Sequence, residues 1–148
     1  MPDPTSEEIF EALAEQIRDE LGNAVNPLIP GLEVDPLGPT VSPTPPWIDI
    51  YPGDPFYEYV AMSNEIEYLV IVRARVSTAD SDGGRALLLS MMDPHAATSM
   101  ALAISSDRTL NGTVEDLAVN PPTGYGLYPA VGVDGALLGC AWQVRVSP

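Results

Sequence analysis

The fold is decided by ten residues in the middle of the chain, EYLVIVRARV at positions 67–76. Their side chains alternate with a period of two and several are β-branched, which predicts a strand. One face is apolar along its length: Tyr68, Val70, Val72, Ala74 and Val76. The other face begins apolar, with Leu69 and Ile71, and ends basic, with Arg73 and Arg75. A solvated sheet face is normally polar throughout, so Leu69 and Ile71 need cover from a loop of the same chain or from a neighbouring subunit.

The N-terminal segment is predicted to form a helix over residues 6–21. Thr5 and Glu8 fit a capping box, in which their side chains satisfy free backbone N–H groups, and Gly22 is a suitable stop. Apolar side chains four residues apart form a stripe that must be buried: Ile9, Leu13, Ile17 and Leu21. Acidic residues form the opposite face, for which ordinary solvation is the simplest interpretation.

Proline dominates residues 26–55, which hold nine of the sixteen prolines. Because proline fixes φ and lacks an N–H donor, we expect an extended, stiff arm over residues 26–46 and a short strand over 47–51. Further along, the patterns predict short helices over 85–92 and 96–105, strands over 114–119 and 137–146, and a loop over 121–126.

This order of elements predicts an α+β fold in a single domain of residues 1–148. Adjacent strands without a helix between them favour antiparallel pairing. We therefore expect a mostly antiparallel four- to five-stranded sheet, with the N-terminal helix and two short helices packed on one face. The predicted parts are the helix 6–21, the proline-rich arm 26–46, and the sheet and helices of 47–147.

The charge of the chain excludes one class of partner. There are 21 acidic residues against 6 arginines and no lysine, a formal net charge of -15. Nucleic-acid affinity depends on cations that displace counterions from phosphates, so we expect no sequence-specific DNA or RNA binding. No apolar run approaches the roughly 20 residues of a membrane span, so no membrane partner is expected. The first residues do not resemble a signal peptide, and synthesis in the cytoplasm is the expectation.

Residues that could carry chemistry are scarce. Zinc needs about four nitrogen or sulfur ligands, and the chain has one histidine, His95, and one cysteine, Cys140. The turn at residues 80–83 resembles the start of a calcium loop but lacks the closing glutamate, so a helix N-cap is the better interpretation. We predict no catalytic residue, no metal site and no cofactor.

Two other functional hypotheses stay open. His95 and Ser99 lie four residues apart and could pair in a small hydrolase, although no nucleophile-elbow motif supports them. Alternatively, aromatic side chains could build a small-ligand site, although they are more often core in a chain of this size; the candidates are Trp47, Tyr57, Tyr59 and Trp142.

Several short segments follow one another in a distinctive order. An amphipathic helix and a proline-rich stretch lead to IDIYPG at 48–53 and YVAM at 59–62. A long strand then ends in ARVSTAD at 74–80. Two short helices lead to SDRTLNGTV at 106–114, and GYG at 124–126 precedes a final strand. In this order the chain resembles the tail terminator proteins of long-tailed (siphovirus) bacteriophages. The likeness covers roughly residues 5–147 and consists of turn and strand signatures.

The resemblance implies a virion structural protein with no enzymatic role. Such proteins form a ring, usually hexameric, that caps the tail tube and joins it to the head-completion or connector protein. Genomic DNA passes through the ring without specific binding. The expected location is the neck of the virion, after synthesis in the host cytoplasm. Another neck or tail protein, such as a stopper or a tube subunit, is the alternative.

A subunit of this kind needs an interface, and the second face of the strand at 67–76 supplies candidates. Burying Leu69 and Ile71 against a neighbour would gain roughly 1.5–3 kcal/mol each. Arg73, Arg75 and Arg145 lie on strand faces and could pair with acidic residues of another subunit, which would set register more than affinity. Ordinary solvation of these arginines is the alternative.

Overall fold

Among the residues that the structure describes, the order of elements is one helix, three strands, two helices and three strands. The computed structural model describes residues 3–41, 43–77, 81–129 and 136–148. Its elements are α1 (Ser6–Leu21), β1 (Glu33–Asp35), β2 (Trp47–Tyr59), β3 (Ile66–Val76), α2 (Ser81–Met92), α3 (Met100–Ser105), β4 (Asp116–Val119), β5 (Thr123–Pro129) and β6 (Ala136–Ser147).

Within the described residues the strands form a six-stranded sheet in the order β1-β2-β3-β6, and β4 and β5 share the far side of β6. β5 pairs with the first half of β6 and β4 with its end. The pairs are antiparallel except β1–β2, which is parallel. The predicted α+β fold with a mostly antiparallel sheet is confirmed, although the sheet has one strand more than the four or five expected and includes one parallel pair.

Helix α1 has the bounds and caps that its sequence predicts. The Thr5 hydroxyl oxygen accepts a hydrogen bond from the Glu8 N–H (3.2 Å), and the Gly22 N–H donates to the Arg18 carbonyl. The buried stripe consists of Ile9, Leu13, Ala14, Ile17 and Leu21. Burial of this stripe, more than the cap, fixes the helix on the domain, because most helical stability in proteins comes from packing of the apolar face.

The core lies between the helices and one face of the sheet. Its sheet side consists of alternate residues of the central strands β3 and β6: Val70, Val72, Ala74, Val76, Cys140, Trp142, Val144 and Val146. The helices contribute the α1 stripe and, from α2 and α3, Leu88, Met91, Met100, Ala103 and Ile104. The three helices of the described chain therefore cover the same face, as predicted.

Two strands lie in segments for which the sequence predicts irregular structure. β1 is part of the proline-rich segment, and β5 occupies residues 123–129, where Gly124 and Gly126 indicate a loop. Similarly, β2 continues past Tyr51 through Pro52 and Pro55 to Tyr59. Glycine and proline are tolerated in β5 and in the part of β2 beyond Ile50 because, among the described residues, each of these segments has a partner strand on one side only.

Helix α3 is shorter than its predicted span of 96–105. Ser99 is its N-cap, and the Ser99 hydroxyl oxygen accepts a hydrogen bond from the Leu102 N–H (3.3 Å). Because a cap residue lies outside the helical φ/ψ region, the helix begins at Met100. Of the residues 80–83, predicted to form a turn, Asp80 lies outside the described residues and the other three belong to α2.

Residues 26–46, predicted to be an extended arm, pack against the domain. Ile29 and Val34 belong to the core. Arg18 Nη2 donates to the Val34 carbonyl (3.0 Å), and the Gly38 N–H donates to the Ile50 carbonyl (3.0 Å). The segment is thus fastened to both α1 and β2, and after β1 it reaches the face of the sheet opposite to the helices.

Candidate subunit interface

The five predicted interface residues lie on the outer face of the sheet, which we define as the face opposite to the helices. Side chains alternate across a strand, so neighbours in register share this face. The cross-strand neighbours on this face, given from one end of β3 to the other, are Leu69 with Arg145, Ile71 with Tyr51 and Gln143, Arg73 with Asp49 and Ala141, and Arg75 with Trp47 and Gly139.

Asp49 is a fully buried carboxylate near the β1 side of the outer face. Arg73 binds it through two hydrogen bonds, from Nε to Oδ1 (3.1 Å) and from Nη2 to Oδ2 (2.6 Å). Arg75 Nη2 (3.3 Å) and the Thr40 N–H (2.8 Å) also donate to Oδ2. We call these four residues the Asp49 cluster. The carboxylate can be buried because it is both paired and hydrogen-bonded.

The proline-rich segment closes the Asp49 cluster through Thr40. The Thr40 carbonyl accepts a hydrogen bond from Arg75 Nη2 (2.7 Å). Its hydroxyl donates to Asp35 Oδ2 (2.6 Å) and accepts from Trp47 Nε1 (3.1 Å). A loop of the same chain therefore covers the basic end of the outer face, whereas the sequence predicts a need for cover at the apolar end, at Leu69 and Ile71.

Positive charge is in surplus in the Asp49 cluster, because two guanidinium groups face one carboxylate. Burial lowers the pKa of Arg75. Burial also acts to lower the pKa of Arg73, but the hydrogen bonds and charge of Asp49 outweigh it and the pKa of Arg73 is raised. The rings of Tyr51 and Tyr128 lie near the Arg73 guanidinium, with Cζ-to-centroid distances of 5.2 and 5.7 Å. Burial raises the pKa of both tyrosines, so they remain neutral partners for the cation.

The chain itself buries two of the five predicted interface residues. Leu69 is 2% exposed, and Gly53, in the irregular stretch of β2, lies against it: a Cβ on Gly53 would be 2.8 Å from the Leu69 carbonyl oxygen and 3.1 Å from its Cβ. Arg75 is also 2% exposed, within the Asp49 cluster. Neither side chain is available to a neighbouring subunit in this conformation, because a bulge and a loop of the same chain cover them.

The other three predicted interface residues keep some exposed surface. Ile71 and Arg73 are half-buried on the outer face. Arg145 is exposed and donates from Nη1 to Glu67 Oε1 (2.9 Å). This ion pair is within one chain and at the surface, where such pairs contribute little to stability.

The exposed large apolar side chains of β2 and β3 lie instead on the hairpin that joins these two strands. The pairing of β3 with β6 ends at Tyr68, and beyond it Tyr57–Tyr59 pair with residues 66–68 of β3. We call residues 57–67 the tongue. Every residue from 57 to 65 is exposed. Its large exposed apolar side chains are Tyr57, Tyr59, Val60 and Met62.

The tip of the tongue is ordered by its own hydrogen bonds. The Val60 N–H donates to the Glu65 carbonyl (2.9 Å), and the Ser63 N–H donates to the Val60 carbonyl (3.1 Å). The rings of Tyr57 and Tyr59 meet edge to face with centroids 6.0 Å apart. Met62 is fully exposed. Met62 is not among the interface residues that the sequence predicts. It ends the apolar run YVAM at 59–62, next to a turn, and this run is the sequence pattern that indicates an exposed contact surface.

A second exposed apolar surface lies on β5, at the opposite side of the sheet. Tyr125 and Leu127 are exposed. Among the described residues, β5 pairs with β6 alone. The segment 120–129 contains no charged residue.

The residues of the hydrolase and ligand-site hypotheses are dispersed. His95 is exposed, whereas Ser99 is buried as the N-cap of α3. Trp142 belongs to the core, Trp47 binds Thr40 on the outer face, and two tyrosines are on the tongue. The structure therefore does not bring either set together.

An acidic cleft of about 310 Å³ lies between α1 and the loop at 106–113. Its carboxylates are Glu15, Asp19, Glu20 and Asp107. Hydrogen bonds from the Thr109 hydroxyl and from backbone N–H groups hold the pKa of Asp107 below its ordinary value. The Asp107 carboxylate therefore stabilises the loop in which it lies. In the described parts of the chain, no group of three or more His, Cys, Asp or Glu is arranged to hold a metal ion.

Neither of two sequence comparisons with known proteins gives a match. No protein-family model matches the chain, and no curated protein matches it at a significant level. Among the described residues, no helix has the length and apolar character needed to cross a membrane.

Proposed function

We propose that this chain is a non-enzymatic structural subunit of a bacteriophage tail, a tail terminator whose copies form a hexameric ring at the head–tail junction. The observation that carries the proposal is the tongue, which holds Tyr57, Tyr59, Val60 and Met62 in solvent. A contiguous exposed apolar patch marks a surface that contacts another protein. The order of sequence segments, described above, supports the tail terminator as the kind of subunit.

The charge of the chain suits a ring through which DNA passes. Six copies of a chain of -15 would carry a formal charge of about -90, and a wall of that sign repels phosphates. The exposed side of α1 concentrates this charge in Glu7, Glu11, Glu15, Asp19 and Glu20. Such a surface would let the genome move without being held. In this role the ring contacts the tail tube on one side and the head-completion or connector protein on the other.

Ring formation by the purified full-length chain is the direct test. We expect a closed ring of one size in negative-stain images, together with a matching mass by light scattering, as the protein concentration rises. A chain that stays monomeric at every concentration up to about 1 mM, the range of very weak association, would contradict the proposal. Open filaments without rings would contradict it as well.

Position in the particle separates the terminator from other tail proteins. In an electron-microscopy reconstruction of virions that contain the chain, we expect its density as a single ring between the tail tube and the connector. Density that repeats along the tube would assign a tube subunit, and density inside the connector would assign a head-completion protein.

A further inference from the structure

We propose that the tongue of one copy adds to the open edge of β5 in a second copy, so that the two sheets join edge to edge. This inference rests on self-assembly as part of the proposed function and names the two surfaces that meet. Addition of a strand to a sheet edge satisfies backbone groups that otherwise need water.

Both edges are open in the described part of the chain. β5 pairs with β6 on one side only. On β2, the parallel strand β1 covers residues 47–49, and the Gly38 N–H reaches the carbonyl of Ile50. Beyond Ile50 the outer edge of β2 has no strand beside it among these residues.

Two prolines limit where a partner strand can pair with β2. Pro52 and Pro55 have no N–H to donate, and they lie in the stretch between residues 52 and 57 where the β2–β3 register shifts. Regular pairing is therefore confined to Tyr57–Tyr59, roughly 10 Å of strand. β5, with seven residues, is long enough to receive this segment.

The charges of the two surfaces favour a second copy as the partner. Glu58 and Glu65 are exposed on the tongue and form no ion pair with the described residues. The segment around β5 carries no charge of its own. This segment lies beside the Arg73 guanidinium, which is partly exposed and packs on the Tyr128 ring. An acidic tongue is repelled by nucleic acid and by anionic lipid, but it is attracted to this side of another copy.

The apolar side chains of the two surfaces also match. Met62 and Tyr59 are exposed on the tongue, and Leu127 and Tyr125 on β5. Covering each set with the other would remove apolar area from water on both copies. Because the tongue and β5 lie at opposite sides of the sheet, the contact is head to tail and leaves one tongue and one edge available at the ends of any open chain.

Two variants and a control test this contact in the full-length protein. Met62→Asp disables the tongue, Leu127→Asp disables the β5 edge, and Val25→Asp introduces the same charge at another fully exposed apolar position. By sedimentation velocity we expect each of the first two to weaken self-association at least about tenfold, as for central interface residues, with no change for Val25→Asp. Circular dichroism melts should coincide for all three, since the sites are exposed.

Mixing the variants tests the head-to-tail geometry. Met62→Asp keeps an intact β5 edge and Leu127→Asp keeps an intact tongue, so an equimolar mixture should form a dimer that neither variant forms alone. If both variants form the same rings as the natural chain, this contact is overturned, whereas the proposed ring is not. Loss of assembly in both variants, with filaments and no rings in the natural chain, would support the contact and overturn the terminator role. A natural chain that is monomeric at every concentration would overturn both.

Discussion

Asp49 is the carboxylate that pairs with both Arg73 and Arg75 on the outer face. Asp49→Asn would leave Arg73 and Arg75 facing an uncharged amide in a site closed by the Thr40 loop. Removing one partner from a buried ion pair costs about 3–5 kcal/mol. We therefore expect the free energy of unfolding, measured by urea denaturation, to fall by an amount in this range.

Asp116→Asn is the matched control for this prediction. Asp116 accepts a hydrogen bond from Arg108 Nη2 (2.8 Å), and both side chains are more than half exposed. Breaking this surface pair should cost about 0–1 kcal/mol. Equal decreases in the free energy of unfolding of the two variants would show that burial does not determine how much the Asp49 cluster contributes to stability.

The burial of Cys140 predicts that the free energy of unfolding decreases at alkaline pH. Burial raises the pKa of the Cys140 thiol from 9.0 to about 12, so above pH 9 the unfolded chain loses this proton while the folded chain keeps it. The stability that the thiol contributes is complete below pH 9 and declines as the pH rises toward 12. Unfolding free energies at pH 8 and 11 should show this decline, and it should be smaller in Cys140→Ala. An unchanged pH dependence in the variant would contradict the assignment to Cys140.

At the scale of single residues, the sequence predicts which side chains alternate but not what covers them. Leu69 and Arg75 were placed on the correct face, and a need for cover was recognised at Leu69 but not at Arg75. The sequence could not tell a neighbouring subunit from a loop of the same chain, because the contact between Thr40 and Arg75 joins residues 35 positions apart. Asp49 carries no local signal beyond its position between two isoleucines.

Among the elements, the tongue is expected to be dispensable for folding and required for assembly. Replacing residues 60–65 by Asn-Gly would join Tyr59 to Ile66 through a two-residue turn suited to a hairpin. Because residues 60–65 are all exposed, the free energy of unfolding should change by about 0.5 kcal/mol or less. Light scattering should nevertheless show loss of the assembled species.

Asn64→Gly serves as the control for the shortened tongue. It alters the turn but keeps Val60 and Met62, so it should assemble like the natural chain. If the shortened variant assembled equally well, contact through the tip of the tongue would be excluded.

Long periodic elements were predictable and edge elements were not. α1 and β3 each bury one face against the core, so apolar residues recur in their sequences with periods of 3.6 and 2.0 residues, respectively. β1 is a three-residue edge strand within the proline-rich segment, β5 is an edge strand with two glycines and a proline, and the formation of both depends on a partner strand already in place. The order and class of the fold therefore follow from the sequence, whereas the strand count and the open edges do not.

For the whole molecule, self-association should become stronger with salt. Each copy carries a formal charge of -15, and the exposed acidic side chains of two approaching copies repel one another over roughly 10 Å at 0.1 M ionic strength but only about 3 Å at 1 M. The attraction between the tongue and the Asp49 cluster is partly desolvated on contact and is screened less. Sedimentation between 0.05 and about 0.5 M sodium chloride should show an increasing fraction of assembled protein; a decreasing fraction would mean that surface ion pairs dominate the contact.

The packing of α1, α2 and α3 on a single face of the sheet constrains any closed circle of these molecules. If strands continue from each molecule to the next, the sheets fuse into one wall and cannot turn over between neighbours. Every N-terminal helix then lies on the same side of that wall, either all around the bore or all around the perimeter. The bore is accordingly lined throughout by acidic helices or throughout by the sheet with its arginines, and no mixed lining can occur.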